Sequence, residues 1–292
     1  MARDLCFKLD DTNEVLHKFY EENDNYKVVV NDENNKRCII FFSGNGLYFP
    51  NTYETFHETV EVKDRYEWET VAKSPLLRDC YGTIIFVRDV YKAYYVKGIN
   101  GRFSSIDRLL PFLREITNGM QIVTCGNSAG GYMAVIAGAY LKAEYVFSFG
   151  GQWSIENRDE YYLGKYRSER GKYFNITQYA KENVIWFYSA LNEWDNIQKS
   201  YLKEQHKIML FAVESRYHGY LLLFPCYKKI LTLPYERIKA LNEKYNGKMI
   251  SQRRLARELL QGKEFVITLI QDVIHHHRSL QILFSRFKNI YS

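Results

Sequence analysis

Gln121 to Gly131 reads QIVTCGNSAGG and runs directly into YMAVIAGAYL, residues 132 to 141. A short apolar run ends in Gly-Asn-Ser-Ala-Gly-Gly, and a helix-forming stretch of small apolar residues follows at once. This is the pattern of a strand, a sharp turn and a helix. At such a turn the middle residue takes a strained backbone conformation, and the positions two before and two after it must be small for strand and helix to pass closely. Gly126 and Gly130 hold those positions around Ser128. The serine hydroxyl then stands exposed at the tip, and the backbone N–H of Ala129 and the helix N-terminus face any oxyanion formed beside it. Ser128 is therefore the candidate nucleophile.

Outward from this turn, YKVVV (26–30) and RCIIFF (37–42), parted by the turn-rich NDENNK, read as consecutive strands. TIIFVRDV (83–90) is a β-branched run between Gly82 and the charged Arg88-Asp89, as in a buried parallel strand. SSIDRLLPFLREITNG (104–119) sets Ile106, Leu109, Leu110, Leu113 and Ile116 on one helical face between a serine start and a glycine stop. EYVFSFGG (144–151), NVIWFYSA (183–190) and KIMLFAVES (207–215) supply three more strands, and 152–181 is a polar, aromatic insertion without strong periodicity. Near the N-terminus, CFKL reads as a strand and TNEVLHKFYEEN as a short helix. Strands alternating with helices predict an α/β fold, a mostly parallel doubly wound sheet. In such a sheet the loops at the carboxyl ends of the strands form the binding crevice. Arg88, Asp89 and Tyr91 are thus candidate substrate neighbours, with a structural Arg88–Asp89 ion pair as the plainer role.

The elbow, together with FFSGNGLYFPNTYETF and IIFVRDVYKAYYVKGIN, resembles the α/β-hydrolase superfamily across most of residues 26–230. Within it, these stretches look like α/β-hydrolase-like proteins associated with bacterial surface-polysaccharide biosynthesis. The resemblance implies a second oxyanion-hole N–H from the loop after RCIIFF, at Gly44, Asn45 or Gly46. It also implies a lid at about 152–181 and a triad in the chain order serine, acid, histidine, the acid and the histidine each following one of the last two strands. Ser128, Asp195 and His218 match that order, with Glu193 as the alternative acid and Gly219 as the source of backbone freedom beside His218. A serine hydroxyl is a poor nucleophile until a base takes its proton, and that base needs an acid to fix its tautomer.

Residues 1–230 are accordingly expected as an α/β-hydrolase-like catalytic domain and 231–292 as a basic helical C-terminal extension. PYERIKALNEKYNG and SQRRLARELLQG read as short helices with glycine stops, and EFVITLIQDVIHHHRSLQILFSRFKNIY as a longer amphipathic one. The formal net charge of +6 is concentrated here, since Lys228 to Ser292 holds 13 lysines and arginines against 5 acidic residues. Arg253, Arg254 and Arg257, with Lys248 and Lys263, form a candidate contact for phosphate, acidic glycan or membrane headgroups. His275, His276 and His277 point in different directions on a helix and do not make one metal site.

The 292 residues, 46% hydrophobic, suffice for a sizeable core, and no run reaches the ~20 apolar residues that span a bilayer. MARDLCFKLDD has no apolar signal region, so the cytoplasm is the expected location. Five scattered cysteines fit neither a disulfide framework nor metal spacing, and nothing resembles a nucleic-acid module. Three functions fit these features. The first is a carboxylic-ester hydrolase acting on O-acyl groups, for instance of a glycan, with no cofactor. The second is an O-acetyltransferase that moves an acetyl group from acetyl-CoA to a glycan hydroxyl, and the third an accessory protein without turnover.

Overall fold

The computed structural model describes residues 7, 9, 12–156, 171–203, 206–219, 221–222, 224–267 and 270. The strands are β1 (Tyr26–Val30), β2 (Arg37–Phe42), β3 (Thr83–Val87), β4 (Gln121–Asn127), β5 (Tyr145–Phe149), β6 (Val184–Ser189) and β7 (Met209–Val213). They form one sheet in the order β1-β3-β2-β4-β5-β6-β7. β1 runs antiparallel to β3, and every other pair is parallel. β1 and β2, consecutive in the chain, are thus separated in the sheet by β3. With the strand–elbow–helix unit at its centre, this is the α/β-hydrolase type of fold, as expected.

Side-chain alternation along the strands explains the two apolar layers. Cys38, Ile40 and Phe42 of β2 face one layer, with the helices Ile106–Ile116 and Ala129–Leu141 packed there. Ile39 and Phe41 face the other, with Val123, Phe147, Ile185 and Phe211 from neighbouring strands. The Ala129–Leu141 helix is apolar on all sides because it is buried for ten of its residues, Ala129 to Gly138.

The second layer is completed by Phe224–Ile230, Tyr235–Tyr245 and Gln252–Leu259. Ile238, Leu241, Leu255 and Leu259 enter the same apolar cluster as the strands. Residues 231–260 therefore cover a sheet face that would otherwise be open to water. Ile250 also extends the sheet past β7: its N–H donates to Ala212 O and its carbonyl accepts from Glu214 N, both at 2.8 Å. Leu255 is fully buried. Leu255→Ala should cost about 2–5 kcal/mol of unfolding free energy, the usual range for truncating a core leucine. Denaturant unfolding followed by circular dichroism checks this, and a change within experimental error would show that these helices dock without stabilising the fold.

The expected strand CFKL, part of the expected lid, and the long C-terminal helix with its three histidines fall largely outside the described residues. At the lid's described ends, Ser154 and Asn175 form a β-bridge and the Tyr173 hydroxyl donates to Asp107 at 2.7 Å. Among the described residues no helix is long and apolar enough to cross a membrane.

Candidate active site

β4 delivers the chain to Ser128 at the carboxyl edge of the sheet. Ser128 has φ 53° and ψ −119°, a conformation that non-glycine residues rarely adopt. What holds it there is steric closeness on both sides. A Cβ on Gly126 would lie 2.2 Å from the Gly130 carbonyl, and one on Gly130 would lie 2.1 Å from Phe42 O. The Ser128 N–H donates to Phe149 O at 2.8 Å, pinning the turn to β5. Ala129 opens the helix, so its amide is one of the first-turn donors that a helix cannot satisfy internally.

His218 and Asp195 come to this serine from the ends of β7 and β6. His218 Nε2 lies 2.9 Å from Ser128 Oγ, and His218 Nδ1 lies 2.5 Å from Asp195 Oδ1. Asp195 is 1% exposed, and its Oδ2 accepts from Ser189 N at 2.7 Å. A buried carboxylate with one oxygen on a backbone amide presents the other in a fixed direction. Its place follows from the Glu193–Ser200 helix: Asn192 caps it by accepting from Asp195 N at 3.1 Å, so the third helical residue faces inward. Glu193, at the first helical position, is exposed.

The histidine loop is held by its own backbone. Tyr217 O accepts from Ser189 Oγ at 2.6 Å and from Ser215 Oγ at 3.1 Å. The glycine against which the ring packs is Gly150. Gly150 has φ +59°, and a Cβ there would lie 3.2 Å from His218 Cε1. A Cβ on Gly219 would meet nothing within 4 Å.

Beside the histidine stands Gln152, absent from the sequence reading. Its side chain is 1% exposed, and its Nε2 donates to Gly150 O at 3.2 Å and lies 3.3 Å from His218 Nε2. Its Oε1 is buried with no hydrogen-bond partner among the described residues. A bare buried carboxamide oxygen costs stability, and a hydroxyl-bearing ligand would satisfy it.

The loop after β2 lies against the elbow, for a Cβ on Gly44 would come within 2.5 Å of Asn127 O. Of the expected donors, however, the Gly44 amide is engaged. It donates to Glu67 Oε2 at 2.6 Å. Asn45 sits next along the turn, which Leu47 N closes on Gly44 O at 3.2 Å.

Arg88 and Tyr91, candidate substrate neighbours, are buried instead. β3 ends at Val87, and the Arg88 guanidinium turns to Asp64 at 2.9 Å, to Asn25 Oδ1 at 3.0 Å and over the Tyr66 ring at 4.2 Å. The expected Arg88–Asp89 pair is therefore replaced by Arg88–Asp64. Tyr91 places its hydroxyl 3.2 Å from His17 Nδ1. Asp89 accepts from the amides of Tyr91, Ala93 and Tyr95 at 3.0, 2.7 and 2.8 Å. Burial pushes its carboxyl up to about 6, against the opposite pull of those amides.

At the same edge, the bridge to Ile250 sets Ser251 beside the strand that leads to His218. Ser251, Arg253, Arg254, Arg257 and Glu258 line an open cavity of about 510 Å³. Among the described residues no group of three or more His, Cys, Asp or Glu could hold a metal ion.

No protein-family description matches the chain, and no curated protein does. Solved structures do. A Staphylococcus aureus protein of unknown function aligns at 12% identity and TM-score 0.43, over 76% of this chain and 92% of its own. An arylesterase aligns at 15% identity and TM-score 0.43, over 80% and 88%. The capsule O-acetyltransferase of Neisseria meningitidis serogroup A aligns at 13% identity and TM-score 0.38, over 86% and 92%. At these values the likeness carries nothing about activity.

Proposed function

We propose that this protein is a serine-dependent acyl-transfer enzyme that hydrolyses carboxylic esters. The observation that carries the reading is the chain from Ser128 Oγ through His218 to Asp195, at 2.9 and 2.5 Å, on a strained elbow. His218 Nε2 takes the hydroxyl proton as Ser128 Oγ attacks the ester carbonyl. Asp195 holds the Nδ1–H tautomer and stabilises the imidazolium. The N–H of Ala129 and one from the Asn45–Gly46 turn receive the oxyanion. His218 then protonates the leaving alcohol, water enters, and the same base activates it to release the acid. The unpaired Gln152 Oε1 would accept a hydrogen bond from the hydroxyl of the incoming water or of the departing alcohol, which fits O-acyl groups on a polyhydroxylated substrate such as a glycan.

One observation favours a second reading, transfer of an acetyl group from acetyl-CoA to a glycan hydroxyl. Arg253, Arg254 and Arg257 line an open cavity in which a phosphate-bearing donor could be held. The two readings separate cleanly. A hydrolase should turn over aryl acetates and release no free CoA from acetyl-CoA. Reversing charge at Arg253, Arg254 and Arg257 should then leave aryl acetate KM within about twofold, because a neutral ester offers no charge to attract and the field of exposed groups is screened over a Debye length of ~8 Å. CoA release that accelerates with a glycan acceptor, and a donor KM that climbs on charge reversal at low salt, would replace hydrolysis by transfer.

A further inference from the structure

Glu67 takes no part in the proposed mechanism. Yet this one side chain grips the loop expected to complete the oxyanion hole. Its Oε2 accepts from Gly44 N at 2.6 Å, and its backbone N–H donates to Ser43 Oγ at 3.3 Å. A Cβ on Gly46 would lie 3.3 Å from Oε1, so the carboxylate touches both glycines of the turn. From the other side Tyr95 holds the loop, its hydroxyl donating to Ser43 O at 2.8 Å. Because the loop is pressed onto Asn127, the residue before the nucleophile, any rotation of Gly44 moves the neighbouring amides relative to Ser128.

We propose that Glu67 is a positioning residue, which holds the Gly44 N–H and so orients the Ser43–Gly46 turn against the Ser128 elbow. The inference rests on the acyl-transfer reading above. The Glu67 carboxylate does not stand alone. The charged groups facing it are Arg65, two residues earlier, and Lys92, from the loop after β3. Lys92 is itself buried, held by Tyr48 O and by Asn51 Oδ1 at 2.6 Å, and it also faces Asp89. Burial pushes the Lys92 ammonium down to about 7, while Glu67 and Asp89 pull it back up. Burial likewise raises the Glu67 carboxyl above its ordinary value, against the Gly44 amide, Arg65 and Lys92.

The direction of the pH dependence follows. Above its raised pKa the carboxyl is an anion and accepts strongly from Gly44 N. As the pH falls through that value it gains a proton and becomes a weaker acceptor, so the turn loosens and turnover falls. The acid limb of kcat/KM should therefore carry a contribution from Glu67.

The test compares wild type, Glu67→Gln and Glu67→Ala on an aryl acetate across the acid limb, with fluorophosphonate labelling of Ser128 as a second readout. Glu67→Ala should lower kcat about 10–100-fold with little change in KM, somewhat less than the cost of deleting an oxyanion donor outright. Glu67→Gln keeps an acceptor oxygen for Gly44 N. It should recover most of that kcat while removing the Glu67 contribution, so that the acid limb becomes shallower. If Glu67→Ala does not fold, the limb of Glu67→Gln decides alone. Variants that label and turn over as wild type does, with an unchanged acid limb, overturn the inference and leave the acyl-transfer reading standing. A KM that rises as kcat falls would make Glu67 a substrate contact and also overturn it. A wild type that neither labels nor turns over aryl acetates removes both.

Discussion

Ser128→Ala should abolish fluorophosphonate labelling and lower ester turnover by about a million-fold, the scale reached when the nucleophile of a serine triad is removed. The expectation is this large because Ser128 Oγ is the only hydroxyl described within hydrogen-bond reach of His218 Nε2. The residue also needs no rearrangement to react, since Gly126, Gly130 and the Phe149 carbonyl already hold the strained backbone. His218→Ala should cost about as much, because members of a triad act as a unit and a hydroxyl without its base is not nucleophilic near neutral pH. Mass spectrometry of the labelled protein locates the adduct, and steady-state rates give the loss. Labelling that survives Ser128→Ala would sink the assignment. Removal of the hydroxyl should leave stability nearly unchanged, so a fall in melting temperature would mean that the elbow itself had collapsed.

What the chain discloses before it folds depends on how far apart the deciding atoms are in sequence. The elbow is local: Gly126, Ser128 and Gly130 lie within five residues, and the steric demand of a strand-to-helix turn is written into their sizes. The strands are local too, as continuous β-branched and aromatic runs, although their order in the sheet is not. β3 slips between β1 and β2 because β1 pairs antiparallel with it, and no feature of YKVVV announces that. The contacts of His218 with Ser128 and Asp195 span 90 and 23 residues. Chain order narrows those partners to a few residues, and only packing chooses among them. Arg88 and Asp89 illustrate the limit. They are neighbours at a strand end, so their side chains leave on opposite sides. Asp64 then takes the arginine, while the amides of the following loop take the aspartate. Glu67, Gln152 and Gly150 could not be read in advance, because each matters only through a segment distant in the sequence that folding presses against it.

Asp195→Asn should reduce kcat about 10⁴-fold while Glu193→Gln stays within about threefold, although the two acids stand only two positions apart on the same helix turn. The difference is set by direction. Residues two apart on a helix face away from each other, so only one of them can meet the ring at the end of β7. The cap from Asn192 and the amide of Ser189 turn Asp195 inward, where it is 1% exposed, and leave Glu193 in water. The asparagine variant keeps the shape of the site. Its carboxamide can offer an N–H to Nδ1, which would place the imidazole proton on Nε2, facing Ser128 Oγ, where a base must instead accept. The ring would then hold the wrong tautomer with its geometry intact, so kcat should fall while substrate binding and melting temperature change little. Raising the pH, which deprotonates Ser128 without help from the ring, should recover part of the lost rate in Asp195→Asn but add little in wild type. Should Glu193→Gln prove the more damaging change, the acid of the triad is Glu193 and the helix must rotate by about half a turn before catalysis.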